Sequence, residues 1–389
     1  MITGPNINSL DNLRAKEVFW NACLEINLEK ITSNLHLIQN HIGHNTRIMP
    51  VLKSEGYGTC NITLANHLYK LGIDIIGLAF LHEAITLRNA GIKQNIFLIN
   101  ITPDEVSSAI NYGFEVGISR LDSLKNLKNS AKKQKKQAKV HIHINTGMCR
   151  FGCSSSEALE LFKLSSNSPF VEIKGVFSHF ASSSKADDDE FSRTQIKRFE
   201  AFIQKITQQG LPKPPYYHIS NSSGILRFPN ETFNMVRLGL SMYGIHTSSA
   251  SQGILPLENA LTLKAKLIHI RRCSAGDTVS YGRHFLVEKE MLIGVISLGY
   301  SDGLHLNYSQ QSYVFINGQK APYIGKICMD CFMIDLSRVP ESKIGDEAII
   351  FGEDRHGNTL SPENFARKGK SIPHELISCL GPRIFRKFI

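Results

Sequence analysis

Between about residues 46 and 240, short apolar and often β-branched runs alternate with longer stretches whose apolar positions recur at helical spacing. Eight such runs occur: Arg47–Leu52, Ile73–Leu78, Ile96–Ile99, Phe114–Ile118, Val140–Asn145, Val171–Ser178, Tyr216–Ile219 and Met235–Leu238. The stretches between them are amphipathic; Phe191, Ile196, Phe199, Phe202, Ile203 and Ile206 fall on nearly one stripe. Strands and helices alternating in this way build parallel βα units, and eight units predict a closed (β/α)8 TIM barrel of the α/β class.

Beyond Tyr243 the texture changes. Polar and small residues at His246–Gly253 lead into alternating strands separated by the turns Gly276-Asp277, Asn317-Gly318 and Gly345-Asp346. Period-two alternation with tight turns predicts a C-terminal antiparallel β domain. The expected division is therefore residues 1–250 and 251–389, with a strand at about residues 20–28 joining the β domain.

Composition narrows the picture further. The 389 residues are 42% hydrophobic and 20% charged, which suits a globular protein with a large core and excludes disorder and coiled coil. The balance of 44 Lys plus Arg against 34 Asp plus Glu would suit nucleic acid only if the basic residues clustered on one surface. The one dense run, Lys132, Lys133, Lys135, Lys136 and Lys139, reads as a solvated helix end, so neither nucleic acid nor membrane is expected as a partner. No stretch approaches the ~18 apolar residues of a membrane span, and the first fifteen residues lack a signal-peptide core, which predicts a cytoplasmic location. Eight scattered cysteines do not make a disulfide framework.

In a barrel of this kind the reactive side chains come from the C-terminal ends of the strands. Lys53 ends the first, in Val51-Leu52-Lys53-Ser54-Glu55-Gly56-Tyr57-Gly58. An inward Lys is either an ion-pair partner or, with its pKa lowered, an amine able to form a Schiff base. Arg150 follows the fifth strand, His179 the sixth, His218-Ile219-Ser220-Asn221-Ser222 the seventh and Arg237-Leu238-Gly239-Leu240 the eighth. Small residues with free backbone N–H groups after strands 7 and 8 form a phosphate cup in many barrels. A Lys opposite such a cup suggests pyridoxal 5′-phosphate.

With these motifs in this order, joined by Val279-Ser280-Tyr281-Gly282, Gly299-Tyr300-Ser301-Asp302-Gly303, Cys328-Met329-Asp330 and Leu380-Gly381-Pro382-Arg383, the chain from about residue 18 onward resembles the alanine racemase family. The resemblance implies a pyridoxal-phosphate isomerase interconverting L- and D-alanine by a two-base mechanism. Lys53 would carry the cofactor as an internal aldimine and act as one base; Tyr281, reaching the site from the other subunit of a homodimer, would be the second. Arg237 would face the pyridine nitrogen with His218 behind it, and His179 would pack on the ring. Tyr57, Asn221, Ser222, Gly239 and Leu240 would hold the phosphate, while Arg150 and Met329 would seat the substrate carboxylate.

Three positions depart from the family pattern. His143 stands where a lysine, often carbamylated, orients the substrate Arg; His374 stands in place of a phosphate-contacting Tyr; and Glu55, next to the cofactor Lys, reads as surface. A smaller residue at 374 would alter the entrance, which opens the site to serine or to further substrates larger than alanine. A barrel decarboxylase of basic amino acids would share the architecture, but typically places an acid where this chain has Arg237. A catalytically silent cofactor-binding protein is the third possibility, against which the presence of Tyr281 and a whole β domain argues. The Cys328-Met329-Asp330-Cys331 spacing invites a metal reading, but on an alternating strand the two thiols would face opposite sides, so no metal site is expected.

Overall fold

The computed structural model describes residues 19–309 and 312–389. They form two compact units: one made of Ile26–Leu261, Ser361–Cys379 and Phe388–Ile389, the other of Thr262–Leu360, Leu380–Lys387 and the described residues up to Glu25. Chain order gives β1 (Ala22–Ile26), β2 (Arg47–Pro50), β3 (Ile75–Leu78), β4 (Asn95–Leu98), β5 (Glu115–Ile118), β6 (Ala138–His143), β7 (Val171–Phe177), β8 (Tyr216–His218) and β9 (Met235–Leu238).

In the first unit, β3 to β8 make a six-stranded parallel sheet in sequence order, and β2 pairs in parallel with β9. Two links join these pieces into a ring: Val51 bridges Gly77, and the Arg237 N–H donates to the Ser220 carbonyl at 2.9 Å. Each predicted strand is present. The first stops at Pro50 rather than Leu52 because the chain turns sharply at Lys53. Met49, Ile75, Phe97, Phe177 and Met235 fill part of the ring's interior.

Side-chain caps start the helices. Asn27 accepts the Lys30 N–H at 2.9 Å ahead of Leu28–Ile42, whose Ile31, Leu35, Ile38 and Ile42 are buried. Ser154 and Glu157 form a reciprocal capping box before Ser155–Ser166. On the long helix Asp189–Gln208, Ile196, Phe199, Phe202 and Ile206 are buried as the stripe predicts, whereas Phe191 is exposed. The lysine run sits at the end of Leu121–Gln134, where Lys135 is the left-handed cap and Lys136 Nζ donates to the Asn111 carbonyl.

The second unit continues with β10 (Leu261–Cys273), β11 (Thr278–Val279), β12 (Phe285–Leu286), β13 (Met291–Ile296), β14 (Tyr313–Ile316), β15 (Gln319–Ile324), β16 (Phe332–Asp335), β17 (Glu347–Glu353), β18 (Thr359–Leu360) and β19 (Phe385–Phe388). The first half of β10 pairs with β17 and the second half with β13, with a bulge between Leu267 and His269. A bulge bends and twists a strand. One strand thereby closes β13, β16, β15, β14 and β17 into an antiparallel barrel, and β1 and β19 extend the sheet beyond β10. Asn317 and Gly318, with φ of 48° and 79°, make the two-residue turn between β14 and β15.

Candidate active site

Lys53 follows the end of β2 and opens an unusual turn. Ser54, Glu55, Gly56 and Tyr57 have φ of 53°, 55°, 66° and 60°, a full turn of left-handed backbone. Three of the four carry a Cβ, at a cost of roughly 1–2 kcal/mol each. Neighbouring groups hold the turn against that cost. The Glu83 carboxylate, buried, accepts the Ser54 N–H at 2.6 Å through Oε1 and the Ala79 and Phe80 N–H groups at 3.0 Å through Oε2. The Gly56 carbonyl accepts the Tyr243 hydroxyl at 2.6 Å and the Thr59 hydroxyl at 2.7 Å. A Cβ on Gly58 would lie 2.6 Å from the Ile377 carbonyl oxygen, so only glycine fits there.

The Lys53 amine points into a cavity of about 330 Å³ lined by residues of the same unit. Burial pushes its pKa down, and the positive charges of Arg150 and Arg237 push the same way against Glu83. Among the described residues no carboxylate lines the cavity, while Lys53, Arg150 and Arg237 all do. Such a site favours an anion. Within it, a Cβ on Gly239 would come within 2.7 Å of the Tyr57 hydroxyl and 3.4 Å of Ser222 Oγ. Ser222 Oγ accepts the Gly239 N–H at 2.9 Å, and burial keeps Tyr57 a neutral phenol. Asn221 also lines the cavity, but its Oδ1 is engaged by the Ser183 hydroxyl and the Gly224 N–H.

Arg237 is buried and lines this cavity as well. Its two terminal nitrogens donate to His218 Nδ1 at 2.7 Å, the Ser178 carbonyl at 2.6 Å, His179 Nδ1 at 2.9 Å and the carbonyls of His218 and Ile219 at 3.2 and 3.1 Å. Nε is the donor these partners leave over. Because a guanidinium only donates, His218 Nδ1 must accept, which places the proton of the neutral ring on Nε2. That N–H meets His141 Nδ1 at 3.0 Å, and His141 Nε2 in turn meets the Glu115 carboxylate at 2.8 Å. A buried relay thus runs Arg237–His218–His141–Glu115. Burial foremost, with Arg237 adding, holds His218 and His179 well below the ordinary histidine range. A Cβ on Gly175 would strike His141 Nδ1 at 2.4 Å, so glycine on β7 makes room for the relay.

The sequence reading did not find Glu83, His141 or Glu115. Their signal was present: an acid at the third position of a helix, and a polar side chain in an otherwise apolar barrel strand, which must be satisfied internally. His143 is buried, stacks on Phe177 with ring centroids 4.0 Å apart, and is held down to about 3 by burial, Arg237 and Arg150. It is an uncharged ring and supplies no anion to Arg150, which is exposed and lies 5.6 Å from the Phe151 ring centroid. His374 lines the cavity edge-on to Tyr57, with ring centroids 6.2 Å apart. Leu240 lines it too.

Tyr281 and Met329 belong to the other unit, where their side chains are 73% and 53% exposed. One expectation is corrected there. Cys328 and Cys331 do not sit on opposite faces of one strand; they flank a two-residue turn, where the Cys328 N–H donates to the Cys331 carbonyl at 2.8 Å. The turn brings residues i and i+3 face to face, overriding the period-two alternation.

Comparison with known proteins agrees with this geometry. Residues 26–247 match the family model for the alanine racemase N-terminal domain, and residues 260–388 the model for its C-terminal domain. The alanine racemase of Desulforamulus reducens is 33% identical over 377 residues, 96% of this chain and 100% of that protein. The alanine racemase from D-cycloserine-producing Streptomyces lavendulae superposes with a TM-score of 0.90 at 29% identity, covering 96% of this chain and 98% of that one. The Bartonella henselae alanine racemase, solved with covalently bound pyridoxal phosphate, shares the fold at 24% identity and a TM-score of 0.84, covering 95% of this chain and 99% of that one. The left-handed lysine turn, the acid-free cavity and the buried Arg237 lie inside those matches, and the chain belongs to the alanine racemase family.

Proposed function

We propose that this chain interconverts L- and D-alanine with Lys53 and Tyr281 as its two bases and with pyridoxal 5′-phosphate held in the Lys53 cavity. The observation that carries the reading is a half-buried amine of lowered pKa in a cavity that also carries Arg150 and Arg237 and, among the described residues, no carboxylate. The residues fit the cofactor: the space over Gly239, which a Cβ would fill, suits a phosphate between Tyr57 and Ser222, and Arg237 offers a donor for the ring nitrogen. When bound to Lys53, pyridoxal phosphate supplies the conjugated electron acceptor that makes the α-hydrogen of an amino acid acidic.

The protein's part is to place and move protons. Lys53 Nζ, held neutral more readily by burial and nearby cations, accepts or returns the proton on one face of the substrate. Tyr281 serves the other face, donated by the partner subunit of a homodimer. Arg237 keeps its own proton at working pH, so it would hydrogen-bond to the cofactor's ring nitrogen without protonating it. The relay behind it ends on the Glu115 carboxylate, which offsets the buried positive charge. Arg150 and Met329 would seat the substrate carboxylate, and His179 would lie against the cofactor ring.

Among the described residues no helix is long and apolar enough to cross a membrane. A cytoplasmic location is the reading that goes with this and with a free amino-acid substrate. His374 at the cavity edge favours a second possibility, turnover of serine alongside alanine. Chiral chromatography of L-alanine and L-serine after incubation with cofactor-loaded enzyme tests both. Alanine converting to an equal mixture supports the reading, and serine converting faster traces specificity to His374. No D-isomer from either would overturn it.

A further inference from the structure

The hairpin that joins β15 to β16 turns at Met329-Asp330, with one cysteine on each side. The Cys328 N–H to Cys331 carbonyl bond of 2.8 Å makes the two residues a hydrogen-bonded pair facing each other. Residues opposite each other in an antiparallel hairpin project their side chains to the same face with Cα atoms about 4.5–5.5 Å apart, inside the span of about 4.4–6.8 Å that a disulfide bridges. Both residues are half-buried. Burial and the neighbouring Cys328 push the Cys331 thiol up, which disfavours its thiolate.

The turn is tied to the groups proposed for catalysis. The Met329 carbonyl accepts the Ser301 N–H at 3.1 Å and the Ser301 hydroxyl at 2.7 Å, and the Asp330 carboxylate accepts Arg383 Nη1 at 2.7 Å. A Cβ on Gly299 would lie 2.2 Å from the Met329 carbonyl oxygen, so the turn has no slack on that side. Cys328 Sγ lies 4.0 Å from Ser280 Oγ, and Ser280 immediately precedes Tyr281. Joining the two sulfurs in a bond of about 2.05 Å acts on this turn, on the Ser280 contact or on both.

We propose that Cys328 and Cys331 are a reversible modification site, oxidised by a low-molecular-weight disulfide to an intrachain disulfide that reshapes the Met329-Asp330 turn and slows racemisation. The Cys328 thiolate attacks one sulfur of the small disulfide and expels one small thiolate. Cys331, giving its proton to solvent, then attacks the Cys328 sulfur of the mixed disulfide and expels the second. The two protein thiols together lose two protons and two electrons, and the small disulfide takes them up as two thiols. The effect on rate rests on the reading of Tyr281 and Met329 given above; the covalent step does not.

The test incubates holoenzyme with oxidised glutathione, blocks remaining thiols with iodoacetamide, maps the peptides by mass spectrometry and assays alanine turnover in parallel. The expected result is a Cys328–Cys331 peptide lighter by about 2 Da and unalkylated at both positions. Turnover should fall roughly tenfold to a hundredfold, the scale of a small misplacement in a site, and return with dithiothreitol. Cys331→Ser, with Cys331→Ala as its control, should keep the untreated rate and stop at a mixed disulfide on Cys328, with no intrachain bond. Alkylation at both cysteines after treatment would overturn the proposal at the covalent step. A disulfide with unchanged turnover, or a Cys331→Ser enzyme slowed as much as the unmutated one, would overturn it at the coupling step. An enzyme that makes no D-alanine before oxidation would defeat the functional reading instead, and the peptide map would still decide the disulfide.

Discussion

Lys53 and Glu83 show how a single side chain sets the chemistry. Lys53→Ala is expected to abolish the cofactor's imine absorbance and to lower alanine turnover by roughly 10²–10⁴-fold, the usual contribution of a positioned base. Absorbance spectra and chiral assays on the folded variant check both. Glu83→Gln keeps the shape but turns an NH2 toward N–H donors that a carboxylate accepts. It should lose about 1–3 kcal/mol in denaturant unfolding and turn over more slowly, because the turn behind Lys53 is no longer pinned. Strand-end position and residue type together pick out Lys53, His179 and Arg237, and the structure brings these three to one cavity. Glu83, His141 and Glu115 carry local signals, but what each does depends on the Glu83–Ser54, His141–Glu115 and His141–His218 contacts, which span 29, 26 and 77 residues of sequence.

Elements were legible where periodicity is a local property. The eight barrel strands follow from short buried runs, and the Asn317-Gly318 hairpin from a dipeptide whose φ values few other residues adopt. The left-handed turn at Ser54–Tyr57 was invisible to the same reasoning. Nothing in Ser-Glu-Gly-Tyr prefers that backbone, and only the groups packed around it stabilise the conformation. The Cys328–Cys331 hairpin was misread for a related reason: alternation predicts a strand's faces, and the turn reverses the chain before the pattern can be applied. Gly239 offers the test at this scale. Gly239→Ala places a methyl 2.7 Å from the Tyr57 hydroxyl, in the space proposed for phosphate. Pyridoxal-phosphate affinity, titrated by absorbance, should weaken tenfold or more, a change of about 1.4 kcal/mol, with the fold retained.

At the scale of the molecule, buried neutral imidazoles couple stability to pH. His143 is held down to about 3, and His179, His218 and His374 are also lowered, each chiefly by burial. Below the ordinary histidine pKa near 6.5 the unfolded chain binds protons that the native one refuses, so unfolding is favoured as pH falls. The stability these rings contribute is complete above about pH 6.5 and declines toward pH 3, by up to about 1.4 kcal/mol per pH unit for each ring. Urea unfolding between pH 7 and pH 4 checks the slope. If Tyr281 serves the partner's cavity, mixing the inactive variants Lys53→Ala and Tyr281→Phe should restore one working site per mixed dimer, about a quarter of full activity after random exchange. Finally, residues 361–379 belong to the barrel unit, where Ile372 and His374 line the cavity and Ile377 presses on Gly58. That segment leaves the ribosome some three hundred residues after Lys53, an interval of roughly 15–60 s at ordinary rates of synthesis. Throughout it the nascent barrel exposes an unfinished pocket, and a free pyridoxal molecule meeting Lys53 then finds an amine with one wall of its site not yet translated.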